Sequence, residues 1–385
     1  MKKLRVGVIY GGRSSEHEVS LASAAAVIAN LDRKKYDPVP IRIERDGRLT
    51  IADRPPTTTI ASDVIAKARQ EAARPTRSGR EAYLVPHPGE ETLLTIERSQ
   101  GEAVGRENAY VAGLSLDVIF PVLHGPYGED GTVQGLLELG SVPYVGAGVL
   151  ASAVAMDKAM MKTAFAGRGL PMVPHLVVMR ADWAASPEPV ATMIGERLGY
   201  PVFVKPANLG SSVGISKVKS AADLGAAISV AAEFDRKIVI EAAVPAAREI
   251  ECSVLGNDRP EASVPGEVVP SREFYDYDAK YLDESQTTIP APLDAAQTAE
   301  VQRLAVEAFL AVDCAGFARV DFLLSRESGR LYVNEINTIP GFTTISMFPK
   351  LWEASGVSYA AVLDRLVELA FERHAGKQTL RTSYP

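Results

Sequence analysis

Arg319, Asp321, Glu335 and Asn337 are the residues of this chain whose types and spacing could do chemistry. They lie within residues 315–346, AGFARVDFLLSRESGRLYVNEINTIPGFTTIS. Two β-rich segments, 317–324 and 331–337, flank a charged, glycine-containing turn, a pattern that predicts an antiparallel hairpin. Side chains alternate faces along a strand, which puts Arg319, Asp321 and Leu323 on one face, and Val333, Glu335 and Asn337 on one face of the partner. A turn centred near Ser328 sets Asp321 opposite Glu335 and Arg319 opposite Asn337. Two carboxylates paired across a hairpin repel each other. A hard cation between them reverses the sign, because Asp, Glu and an amide oxygen are ligands that Mg²⁺ accepts alongside phosphate oxygens. The plain alternative is a solvated hairpin face. The accompanying arginine and the Pro340-Gly341 turn favour Mg²⁺-dependent phosphoryl chemistry instead.

A second stretch fits that chemistry. Lys205 ends an apolar run and leads into Pro206-Ala207-Asn208-Leu209-Gly210-Ser211-Ser212-Val213-Gly214. Glycines let backbone N–H groups approach phosphate oxygens, the hydroxyls of Ser211 and Ser212 add donors, and the lysine adds charge. Walker spacing is missing, so this is not the P-loop motif. A surface turn is the alternative for this loop taken alone. Lys158 at a helix start is by itself a solvated lysine. Glu16 could simply complement a helix dipole, and neither His17 nor His124 has a histidine or cysteine at zinc spacing. No G-x-S-x-G elbow supports a serine hydrolase.

These residues need a scaffold. Val6–Tyr10 predicts a strand running into Gly11-Gly12-Arg13-Ser14-Ser15, followed by a helix over about 19–31, the opening unit of an α/β sheet. The turn is not G-x-G-x-x-G, which weakens a dehydrogenase reading. Val118–Leu123 predicts a second buried strand, ending in the polar loop from His124 to Gly131. Ligands collect at such strand ends in open sheets. Val142–Val145 is expected to be a further strand. Residues 52–108, rich in Arg, Pro, Thr and Glu, read as a peripheral insertion with an added hairpin or two. Strands at 173–179, 202–206, 238–241 and 249–255 alternate with helices at 157–168, 188–198 and 222–231. Residues 267–290 form a long polar loop carrying Tyr275, Tyr277 and Tyr281, and a loop of that length is usually functional. Helices at 296–312 and 357–373 complete the expectation.

A length of 385 residues implies two or three domains. The net charge of −7 argues against nucleic acid as a partner. Two cysteines far apart, Cys252 and Cys314, imply no disulfide framework and fit a reducing cytoplasm. The apolar run at the start is too short for a signal peptide, and Pro143 with several glycines breaks the uncharged stretch 139–156, so no membrane partner is expected.

In order along the chain, GGRSSEHEVS, HGPYGEDG, KPANLGSSVGISKV, EIECSVLG, YDYDAKY and ARVDF…NEINTIPGFTTIS resemble the D-alanine–D-alanine ligases of the ATP-grasp superfamily. The resemblance runs from about residue 5 to 370. It implies an α/β and α+β ATP-grasp fold behind a Rossmann-like N-terminal domain. The domains would be 1–146, 147–240 and 241–375, with a tail at 376–385. It implies that ATP and two Mg²⁺ or Mn²⁺ ions are used, with a monovalent cation such as K⁺ a further candidate, and that the chain forms a homodimer in the cytoplasm. Lys158, Lys205 and Lys280 would reach the nucleotide and its phosphates, Ser211 and Ser212 would cover them, and Asn334 would lie beside them. Glu241, Ala242, Ala243 and Val244 would be the hinge holding adenine, although family members usually have a bulkier residue where Ala242 and Ala243 sit. Glu249 would hydrogen-bond the ribose. Asp321, Glu335 and Asn337 would ligate the metals. Arg319 and the N–H of Gly341 would stabilise the transition state. Glu16, near His124, would bind the ammonium of the first D-alanine, and Ser346 with the N–H of Met347 the carboxylate of the second. Glu16, Ser211 and Tyr281 would form a hydrogen-bonded set that closes the site.

Two other functions remain open at this level. One is a related ligase with D-lactate or D-serine as second substrate. The other is a nucleotide-binding oxidoreductase or regulatory module that keeps the fold without the chemistry.

Overall fold

The computed structural model describes residues 2–52, 54–71, 80–89, 91–100, 107–269 and 286–381; of residues 68–71, 98–100 and 107–109 it describes the backbone alone. Three sheets organise it. In the first, strand Leu4–Gly11 lies between Tyr36–Ile43 and Val118–Val122, parallel to both. The sheet then extends antiparallel through Leu49–Ile51, Arg80–Leu84, Leu93–Gln100 and Glu107–Leu114. Leu4–Gly11 is buried along most of its length because helices cover a parallel sheet on both faces. The strand Tyr36–Ile43 is hard to read from sequence, since Pro38 and Pro40 each remove a ladder donor. Residues 142–145 make only a single parallel bridge, Ile119 to Tyr144, rather than the expected strand. Pro143 explains it, because it cannot donate to a ladder.

The second sheet is antiparallel throughout, with strands in the order Ser216–Val218, Val202–Pro206, Lys237–Ala242, His175–Met179. It has its own core, Val202, Val204, Ile238 and Ile240 packing on Leu224 and Ile228 of helix Ala221–Phe234. The third sheet centres on Ala247–Gly256 and Gly316–Ser325, with Leu331–Asn337 beyond. Its apolar face packs on helix Ala295–Ala311, whose start carries a capping box between Asp294 and Gln297. The strands Gly266–Val269 and Gln286–Thr288 pair with each other, so both ends of the predicted 267–290 loop are sheet.

Helix Tyr359–Gln378 returns to the first sheet. Val362, Leu363, Leu366 and Val367 pack with Val6, Val8, Val118 and Phe120. Arg373 fixes it there, donating to the carbonyls of Tyr144 and Gly146 and stacking 4.1 Å from the Tyr144 ring centroid. Lys377 pairs with Glu138. Among the described residues, no helix is long and apolar enough to cross a membrane.

The insertion is less peripheral than its composition suggests. Besides the meander it contains helix Ala61–Glu71, and Ala61 and Val64 pack on Val19 and Ala22 of helix His17–Asn30.

Candidate active site

The hairpin supplies the floor of a cleft. Asp321 faces Glu335 and Arg319 faces Asn337, as the spacing predicts. The register then slips, Phe322 pairing with Val333, which leaves Asn334 as the extra residue of a β-bulge. The slip corrects one expectation. Val333 shares no face with Glu335 and Asn337 but is buried in the core with Ile336 and Phe322. The bulge turns the carboxylate side of the strand toward the cleft while keeping both neighbouring aliphatics inside.

Strand Ala247–Gly256 adds a third acid. Glu251 pairs directly with Asp321, making a row Glu251–Asp321–Glu335 across three strands. Its signal was only the alternation Glu249, Glu251 in a run of strand formers. Arg319 offsets part of the row's charge. Its Nε and Nη2 donate to the two oxygens of Asp321 at 2.6 and 2.7 Å, and Nε lies 3.1 Å from Glu251 Oε2. Burial opposes the guanidinium charge, but the charges of Asp321 and Glu251 outweigh it and hold Arg319 firmly protonated. Lys158 approaches Glu335 at 4.0 Å and donates to the carbonyl of Leu209 at 2.7 Å. It is thus bonded in place rather than simply solvated.

The Gly-Ser loop approaches Glu16, next to the start of the first helix. Ser211 donates its hydroxyl to Glu16. Glu16 precedes helix His17–Asn30 without capping it, so its carboxylate faces the cleft instead of the helix. Ser211 and Ser212 have φ of 51° and 57°, the left-handed region that costs a non-glycine residue energy and accumulates at functional loops. At Gly125, φ is +79° and an added Cβ would stand 3.0 Å from Glu16 Oε2. That is a position for glycine alone.

His124 is buried, its Nδ1 2.9 Å from the Ile339 carbonyl and its Nε2 3.1 Å from Ser23 Oγ. Burial pushes the imidazole below its ordinary range, the Glu16 charge opposing only in part. Five residues on, Glu129 was passed over as one acid among several in HGPYGEDG. It accepts from the Gly125 N–H at 2.7 Å, and burial, reinforced by the Glu16 charge, raises its carboxyl to about 8.

Lys205 extends from strand Val202–Pro206 to Glu241, 2.6 Å away. The second oxygen of Glu241 lies 2.9 Å from Lys162, which is fully buried and which sequence reasoning missed; the contact is ionic, outside directed hydrogen-bond geometry. Burial would raise Glu241, but the two ammonium groups hold it well below the usual carboxylate range. Burial likewise works against the Lys205 charge, which Glu241 and then Glu335 more than restore. The N–H groups of Ala242 and Ala243 bond the carbonyls of Pro174 and Pro201, leaving Val244 to follow without a strand partner. Glu249 lies between Val268 and Leu323.

At the far end, Ser346 precedes helix Met347–Ala354. Its Oγ sits 3.0 Å from the Thr343 N–H and 2.7 Å from Thr343 Oγ1, and makes no cap bond to the helix. An added Cβ at Gly341 would come 2.7 Å from the same Oγ.

Glu16, His124, Lys158, Ser211, Arg319, Glu335, Asn337, Gly341, Ser346 and Met347, predicted from separate stretches, thus line one cavity of about 580 Å³. Lys205, Ser212, Glu241, Ala242, Ala243, Val244, Glu249, Asp321 and Asn334 do not line it. Lys280 and Tyr281 lie outside the described residues.

The donor set suits a hard divalent ion. Asp321, Glu335 and the Asn337 amide offer oxygen and no sulfur or imidazole. Among the described residues no group of three or more His, Cys, Asp or Glu side chains gathers to cage a metal. Such a site suits an ion that takes one or two carboxylates and completes its shell with substrate phosphates.

A family model described as D-ala D-ala ligase N-terminus matches residues 5–147, and one described as D-ala D-ala ligase C-terminus matches residues 164–368. The chain is 50% identical over 379 residues to the D-alanine--D-alanine ligase of Heliobacterium modesticaldum, covering 98% of this chain and 97% of the relative. The D-alanine--D-alanine ligase of Geobacillus kaustophilus is 47% identical over 383 residues, 99% and 98% covered. Among solved structures, the D-alanine-D-alanine ligase from Coxiella burnetii superposes with a TM-score of 0.78 at 36% identity, over 98% of each chain. The VanG D-Ala:D-Ser ligase from Enterococcus faecalis reaches 0.76 at 34% identity, over 96% of this chain and all of that one.

Proposed function

The chain belongs to the D-alanine–D-alanine ligase family, and we propose that its cleft joins two D-alanines with cleavage of ATP to ADP and phosphate, supplying a peptidoglycan precursor. The observation that carries this reading is one cavity lined together by Glu16, Arg319, Glu335, Ser346 and Met347.

A carboxylate does not react with an amine in water, so one of its oxygens must become a leaving group. The first D-alanine attacks the γ-phosphorus through its carboxylate, ADP departs, and an acyl phosphate results. The second D-alanine, its ammonium deprotonated to the amine, attacks the acyl carbon; the tetrahedral intermediate expels phosphate and releases the remaining proton from nitrogen, and a peptide bond remains. Glu16 holds the ammonium of the first substrate, and the Ser211 hydroxyl orients that carboxylate. Arg319, clamped by Asp321, is a preorganised cation for the γ-phosphate and then for the oxyanion, with the Gly341 N–H as second donor. Ser346 and the Met347 N–H take the carboxylate of the second substrate. The buried His124, bonded between Ile339 and Ser23, fixes the wall behind Glu16.

Lys158, Lys205 and the Ser211–Ser212 loop serve the phosphates, and Lys280 joins them. Residues 241–244 form the adenine hinge, Glu249 meets the ribose, and Asn334 sits beside the nucleotide. Asp321, Glu335 and Asn337 would hold two Mg²⁺ or Mn²⁺ ions, which when bound would supply charge neutralisation for phosphoryl transfer. The acyl phosphate would hydrolyse in open solvent, and closure of the Glu16–Ser211 contact with Tyr281 excludes water. Domains divide at about 146 and 240, and the chain works as a cytoplasmic homodimer.

The test is phosphate release from ATP with D-alanine, set against L-alanine, D-lactate, D-serine and no substrate, with products weighed by mass spectrometry. D-Alanyl-D-alanine as the main product is expected. A predominant mixed product with D-lactate or D-serine would reassign the second substrate. Family membership removes the oxidoreductase and regulatory alternatives.

A further inference from the structure

Among the described residues three cations line the cleft: Lys158, Arg319 and Lys350. Two are committed. Lys158 is bonded to Leu209 and faces Glu335, and Arg319 is clamped by Asp321 and Glu251. Among the described residues Lys350 has no acidic partner, although Glu16, Glu129, Glu251 and Glu335 line the same cavity. Lys350 sits on helix Met347–Ala354, four residues beyond Ser346. Residues at that spacing share a helix face, so the ammonium stands over the same side of the helix as its start. Uncharged residues of the insertion that the sequence marks as peripheral, Ile60, Ala61 and Ser62, line the same cavity. A half-buried cation in an otherwise acid-rich cleft, with no counter-charge among the described residues, is placed for an anionic group of a ligand.

Resting on the reading of the cleft as a D-amino acid ligase, we propose that Lys350 binds the carboxylate of the second, acceptor amino acid and positions its amine. The first substrate's carboxylate is the reacting group and belongs beside Arg319 and Glu335. The acceptor's carboxylate takes no part in the chemistry and must be held away from them. Ser346 and the Met347 N–H are neutral donors, and its charge needs a cation. Lys350 supplies that charge on a long stem, and its half-buried position limits screening.

The experiment uses the full chain with ATP and Mg²⁺, and compares D-alanine with D-alaninamide as acceptor while D-alanine fills the first site. A charge-assisted contact of this kind scales to about ten-fold or more in binding. Lys350→Met should therefore raise the acceptor KM by ~10-fold or more, while kcat at saturation changes less than ~3-fold and the KM for ATP stays put. The preference of the wild type for D-alanine over the amide should shrink by the same factor. Lys350→Arg should restore most of both. An unchanged acceptor KM in Lys350→Met, or an undiminished preference for the carboxylate, overturns the assignment, as does a loss confined to kcat. If the wild type forms no D-alanine product, the ligase reading itself fails, which is a separate result.

Discussion

Lys162 and Lys205 share the single carboxylate of Glu241, one on each oxygen, at 2.9 and 2.6 Å. Lys205 ends the strand that leads into the Gly-Ser loop, whereas Lys162 is sealed in the interior. The second lysine therefore fixes the orientation of the carboxylate that fixes the first.

Removing that carboxylate should be costly. Glu241→Gln leaves the buried Lys162 ammonium uncompensated, for an expected loss of ~3–5 kcal/mol. Adding Lys162→Met to the same chain should recover part of it, because the orphaned charge is gone, and a double-mutant cycle in urea measures the coupling. The wild-type contribution has a pH signature. Glu241 is depressed in the folded state, so its stabilisation is complete above its unfolded pKa and fades as pH falls toward the folded one. Melting temperatures below about pH 5 should therefore converge between wild type and Glu241→Gln. A constant gap down to acid pH would refute the pairing.

Glu129 behaves in the opposite sense. Its carboxyl is raised from 4.5 to about 8 by burial and the nearby Glu16, so the folded state holds the proton more tightly. Its stability contribution is whole below the unfolded value and is lost as pH rises through about 8. Glu129→Gln keeps an acceptor for the Gly125 N–H without the ionisation. The variant should gain on the wild type in melting temperature between pH 6 and pH 9. Parallel curves across that range would show that Glu129 ionises normally.

Glu335→Gln should abolish ATP-dependent product formation with Mg²⁺ and leave the apo protein near its original stability. The lost Lys158 contact spans 4.0 Å, and repulsion from Asp321 is relieved at the same time. Thermal melts paired with a phosphate-release assay decide the matter. Full turnover in the variant would remove Glu335 from the metal site.

Arg319→Ala should lower kcat by ~10²-fold or more. It should also destabilise the apo protein, since Asp321 and Glu251 then face each other without their cation. Arg319→Lys separates the two effects: it keeps the charge, and so most of the stability, while losing the two-pronged clamp on Asp321. If the lysine variant is fully active, guanidinium geometry is not what the reaction needs.

Much of this site could be read from the chain because period-two alternation fixes which residues oppose each other once the turn is placed. Asp321–Glu335 and Arg319–Asn337 followed from that alone. Val333 was misplaced because one inserted residue, Asn334, resets the alternation, and a bulge leaves no mark in composition. Glu251 and Lys162 were invisible for another reason. Each acquires meaning only from a partner that the fold brings alongside, Asp321 in one case and Glu241 in the other. The insertion was judged by its polarity, which describes most of it but not the three residues, Ile60 to Ser62, that reach the cleft.

Helix Tyr359–Gln378 has a consequence for how the chain comes into being. Val6 and Val8 are covered by Val362, Leu366 and Val367, which lie more than 350 positions further along the chain. During synthesis one face of the leading strand must wait, exposed and adhesive, for more than 350 residues to follow. Contacts so remote in sequence slow folding and leave sticky surface bare in the meantime. Newborn chains should thus be natural clients of holdase chaperones, and a ribosome stalled shortly before residue 359 should carry one whose first sheet is still open to protease.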